Sequence, residues 1–206
     1  LLTMEFLEGI PSSEATSDRY PQELKDKWGV TLFEFTLRGF FRHQFLHADP
    51  NFANFAFRED GAVVVYDSGC MKQVPDNIAT GYARLMNAVM KRHKSAIPTL
   101  LQEMGVYKEG GTPLSRTVTD PYVDLLQDIV RASPPYTFGE DDTIYQALFD
   151  LGISNWQEAS DVRFPRDMVF IDRTLGGLFG NLGTLGATGP WRKLLREYTA
   201  PLSEAK

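Results

Sequence analysis

Cysteine is almost missing from this chain. Cys70 stands alone among 206 residues. That excludes an internal disulfide framework and a cysteine-rich zinc site, and it fits a reducing compartment. No run of about 18 apolar residues occurs, so no membrane-spanning helix is expected, and no secretory signal is expected either. Basic charge is scarce. The 21 Lys and Arg face 27 Asp and Glu, and the net charge of -6 argues against a general nucleic-acid binder. An initiator Met is also lacking: the chain opens Leu1-Leu2-Thr3, and its first residues read as a buried strand. A fragment of a longer protein, or a reading frame without its start, is the expectation. Internal repeats and low-complexity segments are absent. What is present is a chain long enough for one large domain or two small ones, with ordinary hydrophobic content and room for a substantial core.

The stretch His47 to Gly69, HADPNFANFAFREDGAVVVYDSG, is the most informative. It offers a carboxylate (Asp49), a carboxamide five residues on (Asn54), two short apolar runs, and a second carboxylate (Asp67) before Ser68-Gly69. Phe55-Ala56-Phe57 and Ala62 to Tyr66 flank Glu59-Asp60-Gly61, a hairpin signal. Such a hairpin brings Asn54 and Asp67 side by side at its open end. The order suits placement of a metal-bound phosphate. Asp49 would accept a proton from an attacking hydroxyl or water, while Asn54 and Asp67 would offer hard oxygen ligands to Mg²⁺. Each piece also has a plainer meaning: Asp49-Pro50 as a turn, Asp67-Ser68-Gly69 as a loop after a strand.

Elsewhere the pattern is mostly helical. Leu1 to Leu7 reads as a strand, followed by a polar loop. Pro21 opens a helix, Gly29 divides the region, and Val30 to Gln44 forms a second, aromatic-rich helix with Thr31 as a cap. Asp76 starts a one-faced helix through Ile78, Tyr82, Leu85, Met86, Val89 and Met90. A further helix stops at Gly105. Lys108 to Thr119 reads as a loop, and Asp120-Pro121 opens the next helix, which ends before Ser133. A short helix from Asp141 or Asp142 to Leu151, a turn at Ser154 to Trp156, a helix after Pro165 and a last one over Trp191 to Tyr198 complete the chain. Strands are confined to the first seventy residues. The Gly-rich stretch Gly176 to Gly189 lacks the Lys-Ser/Thr ending of a phosphate loop and reads as close helix packing. His43 and His47, four apart, have metal-ligand spacing but no third partner nearby. Lys91-Arg92-His93-Lys94 reads as a solvated helix end, and Cys70 as a small packing residue.

The motifs together resemble the ABC1 (UbiB/ADCK, coenzyme Q8) family of atypical kinases, and so the C-terminal lobe of a protein-kinase-like fold. His47-Ala48-Asp49-Pro50-Asn51-Phe52-Ala53-Asn54 matches the family's H-A-D-P-H-P-G-N at five positions. Asp67-Ser68-Gly69 stands where the family has D-F-G. Met4-Glu5-Phe6-Leu7-Glu8-Gly9-Ile10-Pro11 resembles its hinge strand, and Asp167 to Leu185, with Arg173, its final helical region. The resemblance implies an α+β, mostly α, kinase-like C-lobe whose short β-hairpin carries the catalytic and metal motifs. Residues 1–11 would be hinge strand and linker, residues 12–206 the lobe, and an absent N-lobe is the expectation. It implies ATP and Mg²⁺ as cofactors, Asp49 as the catalytic-loop aspartate, His47 as its support, and Asn54 and Asp67 as metal ligands. Met4 would be gatekeeper-like, and the backbone of Glu5 and Leu7 would meet the adenine edge. A family role in ubiquinone biosynthesis or lipid homeostasis follows, with an isoprenoid quinone or lipid, a membrane surface and the missing N-lobe as partners, and a cytoplasmic or peripheral-membrane location.

Departures from the pattern keep other readings open. Asn51, Phe52 and Ala53 replace H-P-G, so the loop lacks its usual turn residues. Ser68 replaces the aromatic under the metal-binding aspartate. Whether this fragment is an enzyme is left open by the absent N-lobe. A non-catalytic, pseudokinase-like binding module would leave Asp49, Asn54 and Asp67 apart, or plug the cleft with Phe52. A small-molecule phosphotransferase of the aminoglycoside or choline kinase type would share H-x-D-x-x-x-x-N and a later Asp.

Overall fold

Aromatic and aliphatic residues at helical spacing build most of this molecule. The structure is a computed structural model describing residues 5–67, 69–131, 133–139 and 161–203. Its architecture is α+β and mostly helical. In chain order the described elements are β1 (Ile10–Pro11), α1 (Ser12–Ala15), α2 (Gln22–Leu37), β2 (Phe45–His47), β3 (Phe55–Phe57), β4 (Val63–Val65), β5 (Met71–Gln73), α3 (Asp76–Met90), α4 (Ile97–Glu103), β6 (Tyr107–Lys108), α5 (Arg116–Ile129), β7 (Val162–Arg163), α6 (Arg166–Leu185) and α7 (Trp191–Ser203). A wider, π-type turn over Arg38–His43 extends α2, and Gln44, in left-handed backbone, ends it.

The strands form three small antiparallel groups. β1, β3 and β4 make one sheet in that order, β2 pairs with β5, and β6 with β7. The hairpin between β3 and β4 turns at Gly61, whose φ of +94° suits glycine. Asp60 Oδ1 accepts from the Ala62 amide at 2.9 Å and fixes the turn. Helix α2 runs beneath this hairpin. Trp28, fully buried, donates from Nε1 to Arg58 O at 2.7 Å and packs its ring against Phe57 and Tyr20. The core continues through Leu32, Phe33, Phe40, Tyr82, Ile171, Leu182 and Trp191, with α3 and α7 packed along each other.

Several expectations are corrected here. Residues 5–9 form no strand; the edge strand is Ile10–Pro11, and Leu1 to Met4 lie outside the described residues. Gly29 does not divide a helix. α2 passes straight through it, because an added Cβ there would sit 2.4 Å from Ala187 Cβ: the glycine serves close packing, not a break. Helix α5 begins at Arg116 and carries Pro121 inside it. The Arg116–Asp120 pair, 2.8 Å apart, supports that first turn. Strands occur beyond residue 70, at β5, β6 and β7. His43 is exposed on the π-type turn while His47 is buried on β2, so the two do not share a helix face. Cys70 is exposed, not packed. Val169, on α6, is 60% exposed. The helix and turn expected between Asp141 and Trp156 lie outside the described residues.

The Gly-rich end of α6 behaves as close packing and a helix stop. Gly186 ends the helix in left-handed backbone, with φ of +62°. Among the described residues no helix is long and apolar enough to cross a membrane.

Candidate active site

The site grows from the junction of the two small strand groups. β2 delivers His47, buried at 6% exposure, to the start of the loop. Its Nε2 lies 2.5 Å from Asp67 O. The partner is a carbonyl, so Nε2 carries the proton and donates. Rings of Phe35 and Phe55 flank the imidazole, with centroids at 6.2 and 5.9 Å. The next amide, Ala48 N, donates to Cys70 O at 2.8 Å and extends the β2–β5 ladder. The backbone around Asp67 is thus tied to the residues just before Asp49.

Asp49 and Pro50 follow, both half-buried. Asn51 then shapes the loop. Its Oδ1 accepts from Ala53 N at 3.0 Å, the start of a 3-10 turn over Phe52–Asn54. Asn51 itself therefore supplies the turn that replacement of H-P-G removes. Phe52 turns toward the core, its ring centroid 5.4 Å from that of Phe57. The turn brings Asn54 Nδ2 to Asp49 Oδ2 at 2.8 Å, with Asp49 O at 3.4 Å. A carboxylate only accepts, so the amide must present nitrogen to Asp49, which leaves Oδ1 as its acceptor. At the open end of the hairpin Asn54 O accepts from Tyr66 N at 2.9 Å, which sets Asp67 one residue beyond that bond. Asp67 is exposed. Its Oδ1 accepts from Gly69 N at 2.7 Å, which bends the chain after it. The oxygens offered are Asn54 Oδ1 and Asp67 Oδ2, a hard donor set that fits Mg²⁺, which takes one or two protein oxygens and fills its shell with water and phosphate. Among the described residues no group of three or more His, Cys, Asp or Glu forms a closed metal cage.

Two positioning residues escaped the sequence reading. Asn181, buried on α6, donates from Nδ2 to Pro50 O at 2.9 Å. One turn earlier, Gly177 lies against the Pro50 ring, where an added Cβ would fall 2.2 Å from Pro50 Cγ. Helix α6 therefore holds the residue after Asp49 by a hydrogen bond and a bare backbone contact. The only signal in the sequence was the glycine content of this helix; nothing tied it to Pro50. Glu5 and Leu7 are exposed in a stretch without regular structure. That stretch crosses β3 at Gly9, whose added Cβ would be 2.8 Å from Ala56 Cβ. Met4 and Ser68 lie outside the described residues.

The chain is similar to known proteins in both sequence and fold. Residues 1–101 match the ABC1 atypical kinase-like domain, so the half of the chain that holds Asp49, Asn54 and Asp67 belongs to that family. The chain is also 32% identical over 106 residues, 51% of its length, to A445L of Paramecium bursaria Chlorella virus 1, which carries an ABC-transporter name. It spans 22% of that protein. A solved complex of Rv3197 with erythromycin, from Mycobacterium tuberculosis, shares the fold at a TM-score of 0.72 and 17% identity. That likeness covers 98% of this chain and 50% of Rv3197.

Proposed function

We propose that this chain supplies the catalytic-loop side of a Mg-ATP site in a kinase-like C-lobe and takes part in phosphoryl transfer or ATP hydrolysis. The observation that carries the reading is the Asp49–Asn54 bond of 2.8 Å, set beside Asp67 by the hairpin register. Asp49, half-buried and held by the Asn54 amide, accepts the proton of an attacking hydroxyl or water. Asn54 Oδ1 and Asp67 would hold the metal, whose positive charge would offset that of the phosphate oxygens. His47 fixes Asp67 through its backbone. The backbone of Glu5 and Leu7, reaching in from the chain's start, meets the adenine edge. Asn51 supports the reading by restoring the loop's turn, and Phe52 by packing toward Phe57 instead of out of the loop. By family, the substrate process is ubiquinone biosynthesis or lipid homeostasis, at or near a membrane surface.

The test uses the full-length protein. Calorimetric titration with Mg-ATP and a phosphate-release assay should show binding and turnover, with both strongly reduced in Asp67→Asn and turnover reduced in Asp49→Asn. Failure of the wild-type protein to bind Mg-ATP, or an Asp67→Asn variant that behaves as wild type, would overturn the assignment.

A further inference from the structure

A groove that Asp49 does not line opens where α3 packs on α7. The two helices present matching stripes to one groove: Arg84, Asn87 and Ala88 from α3 with Lys91 just past its end, and Arg196, Ala200 and Ser203 from α7. The spacings are three, four and seven residues, so each set lies on one helix face. Small side chains at Ala88 and Ala200, with Leu100 beside them, open a concavity of about 450 Å³. Its polar lining is basic, with Arg84, Lys91, His93 and Arg196, in a chain whose net charge is -6. Arg84 is shared with Glu103, 2.6 Å away. Lys91, His93 and Arg196 form no ion pair among the described residues.

Helix-end electrostatics account for only part of this cluster. Lys91 and His93 follow the end of α3, where cations suit the dipole, but Arg84 sits mid-helix and Arg196 belongs to another helix. The other nearby cations are already committed: Arg192 donates to Val130 O and Met90 O, and Lys94 pairs with Asp124. The turn after α3 is also unusual. Arg92 adopts left-handed backbone, with φ of +58°, in a place where helices commonly use glycine. That turn sends the His93 amide back to Ala88 O at 2.9 Å and leaves His93 lining the groove.

We propose that this groove binds a phosphate monoester carrying a small neutral or apolar group. Two cations without an ion pair among the described residues, Lys91 and Arg196, and a third, Arg84, shared with Glu103, match a dianion with several acceptor oxygens, and the His93 imidazole adds a further polar group. The Asn87 amide and Ser203 hydroxyl also line this space, each donating to a carbonyl of its own helix, Ala83 O at 3.2 Å and Ala200 O at 3.1 Å. The apolar floor of Ala88, Leu100 and Ala200 takes the organic part. The volume suits a phosphate with a few carbons, and the acidic remainder of the chain disfavours a polyanion. A free phosphometabolite and a lipid headgroup share this chemistry.

The experiment uses the full-length protein with glycerol 3-phosphate in calorimetric titration, and phosphatidylcholine vesicles with and without phosphatidic acid in sedimentation. Saturable glycerol 3-phosphate binding that weakens roughly tenfold or more in a Lys91→Gln/Arg196→Gln variant establishes the site and a soluble source. Recruitment only to vesicles containing phosphatidic acid, lost in the same variant, establishes it with a headgroup source. Arg196→Lys, which keeps the charge, should retain most of the binding, and unfolding midpoints check that the variants are folded. Absence of binding to either probe overturns the proposal. So does binding unchanged in the double variant, or binding abolished by Asp67→Asn, which would place the phosphate at the catalytic loop instead. The site stands on its own groove residues, so it survives or fails apart from the Mg-ATP reading.

Discussion

Gly177→Ala tests whether α6 sets the position of the catalytic loop. The added Cβ would fall 2.2 Å from Pro50 Cγ and 2.3 Å from its Cβ. Ordinary carbon contact begins near ~3.5 Å, so helix and ring must part by about 1.3 Å. Neither side moves freely. α6 is pinned one turn away by Asn181, and the loop is pinned by Asn54 on Asp49 and by His47 on Asp67. Alanine favours a helix interior by roughly 0.5–1 kcal/mol over glycine, while forced overpacking costs about 1–3 kcal/mol. The net result is destabilisation of up to about 2 kcal/mol, read by urea unfolding.

The larger effect falls on function. Pro50 is bonded to Asp49, the proposed proton acceptor, and under that proposal a shift of about 1 Å at a reacting group lowers turnover on the order of a hundredfold. Gly180→Ala is the matched control. It lies on the same helix, its added Cβ would meet nothing within 4 Å, and it should stabilise by roughly 0.5–1 kcal/mol with turnover intact. If Gly177→Ala stabilises the fold as Gly180→Ala does and leaves phosphate release at the wild-type rate, the reasoning is refuted. The stability arm of this test is independent of any catalytic role.

Other substitutions probe the supports around the site and core. His47→Ala removes the donor to Asp67 O and leaves that carbonyl to find water. A loss of about 1–3 kcal/mol is expected, with faster hydrogen exchange at the Ala48 amide beside it. Tyr82 is buried and donates to Asp172 Oδ1 at 2.8 Å. Burial, then the facing carboxylate, push its phenol well above the ordinary value of 10.0. The folded chain therefore keeps a proton that the unfolded chain releases; stability from this group is full below about 10 and falls as pH rises past it. Tyr82→Phe should flatten that alkaline slope in pH-dependent unfolding. Thr119 Oγ1 is buried without a hydrogen-bond partner among the described residues. Thr119→Val should raise stability by about 1 kcal/mol in thermal or urea unfolding; a loss of that size would show that the hydroxyl has a partner.

Local patterns were legible where local physics decides them. The hairpin followed from two apolar runs around Glu59-Asp60-Gly61, and its register brought Asn54 next to Tyr66 and hence to Asp67. The single apolar face of α3 and the stop at Gly105 were equally readable. What was not legible depends on partners far along the chain. Gly29 looks like a break until Ala187 lies against it, and Asn181 looks like a stray polar residue until Pro50, 131 positions away, accepts its hydrogen bond. The π-type turn and the start of α5 at Arg116, ahead of Pro121, are further cases that local propensity did not decide. Cys70 reads as a small packing residue, whereas its side chain is exposed and its backbone carbonyl is what the fold uses.

The departures of the loop from its family pattern carry less weight once the bonds are counted instead of the letters. A histidine, proline and glycine are replaced by Asn51, Phe52 and Ala53, which reads as loss of the turn. Yet a turn needs only a local acceptor for the amide two residues on, and Asn51 Oδ1 supplies it. Phe52 needs an apolar neighbour, and Phe57 supplies that. Ala53, exposed, needs nothing from its side chain. The requirement on the loop is that it return Asn54 to Asp49, and the bond of 2.8 Å shows that this sequence does so by its own route. Support for Asp67 likewise comes from His47 beneath its carbonyl and Gly69 at its carboxylate. The geometry that the proposed chemistry demands is therefore held by a different set of side chains. Asn51→Ala, which removes the turn's acceptor and leaves Asp49 and Asn54 in place, should damage this loop more than any change at Ala53.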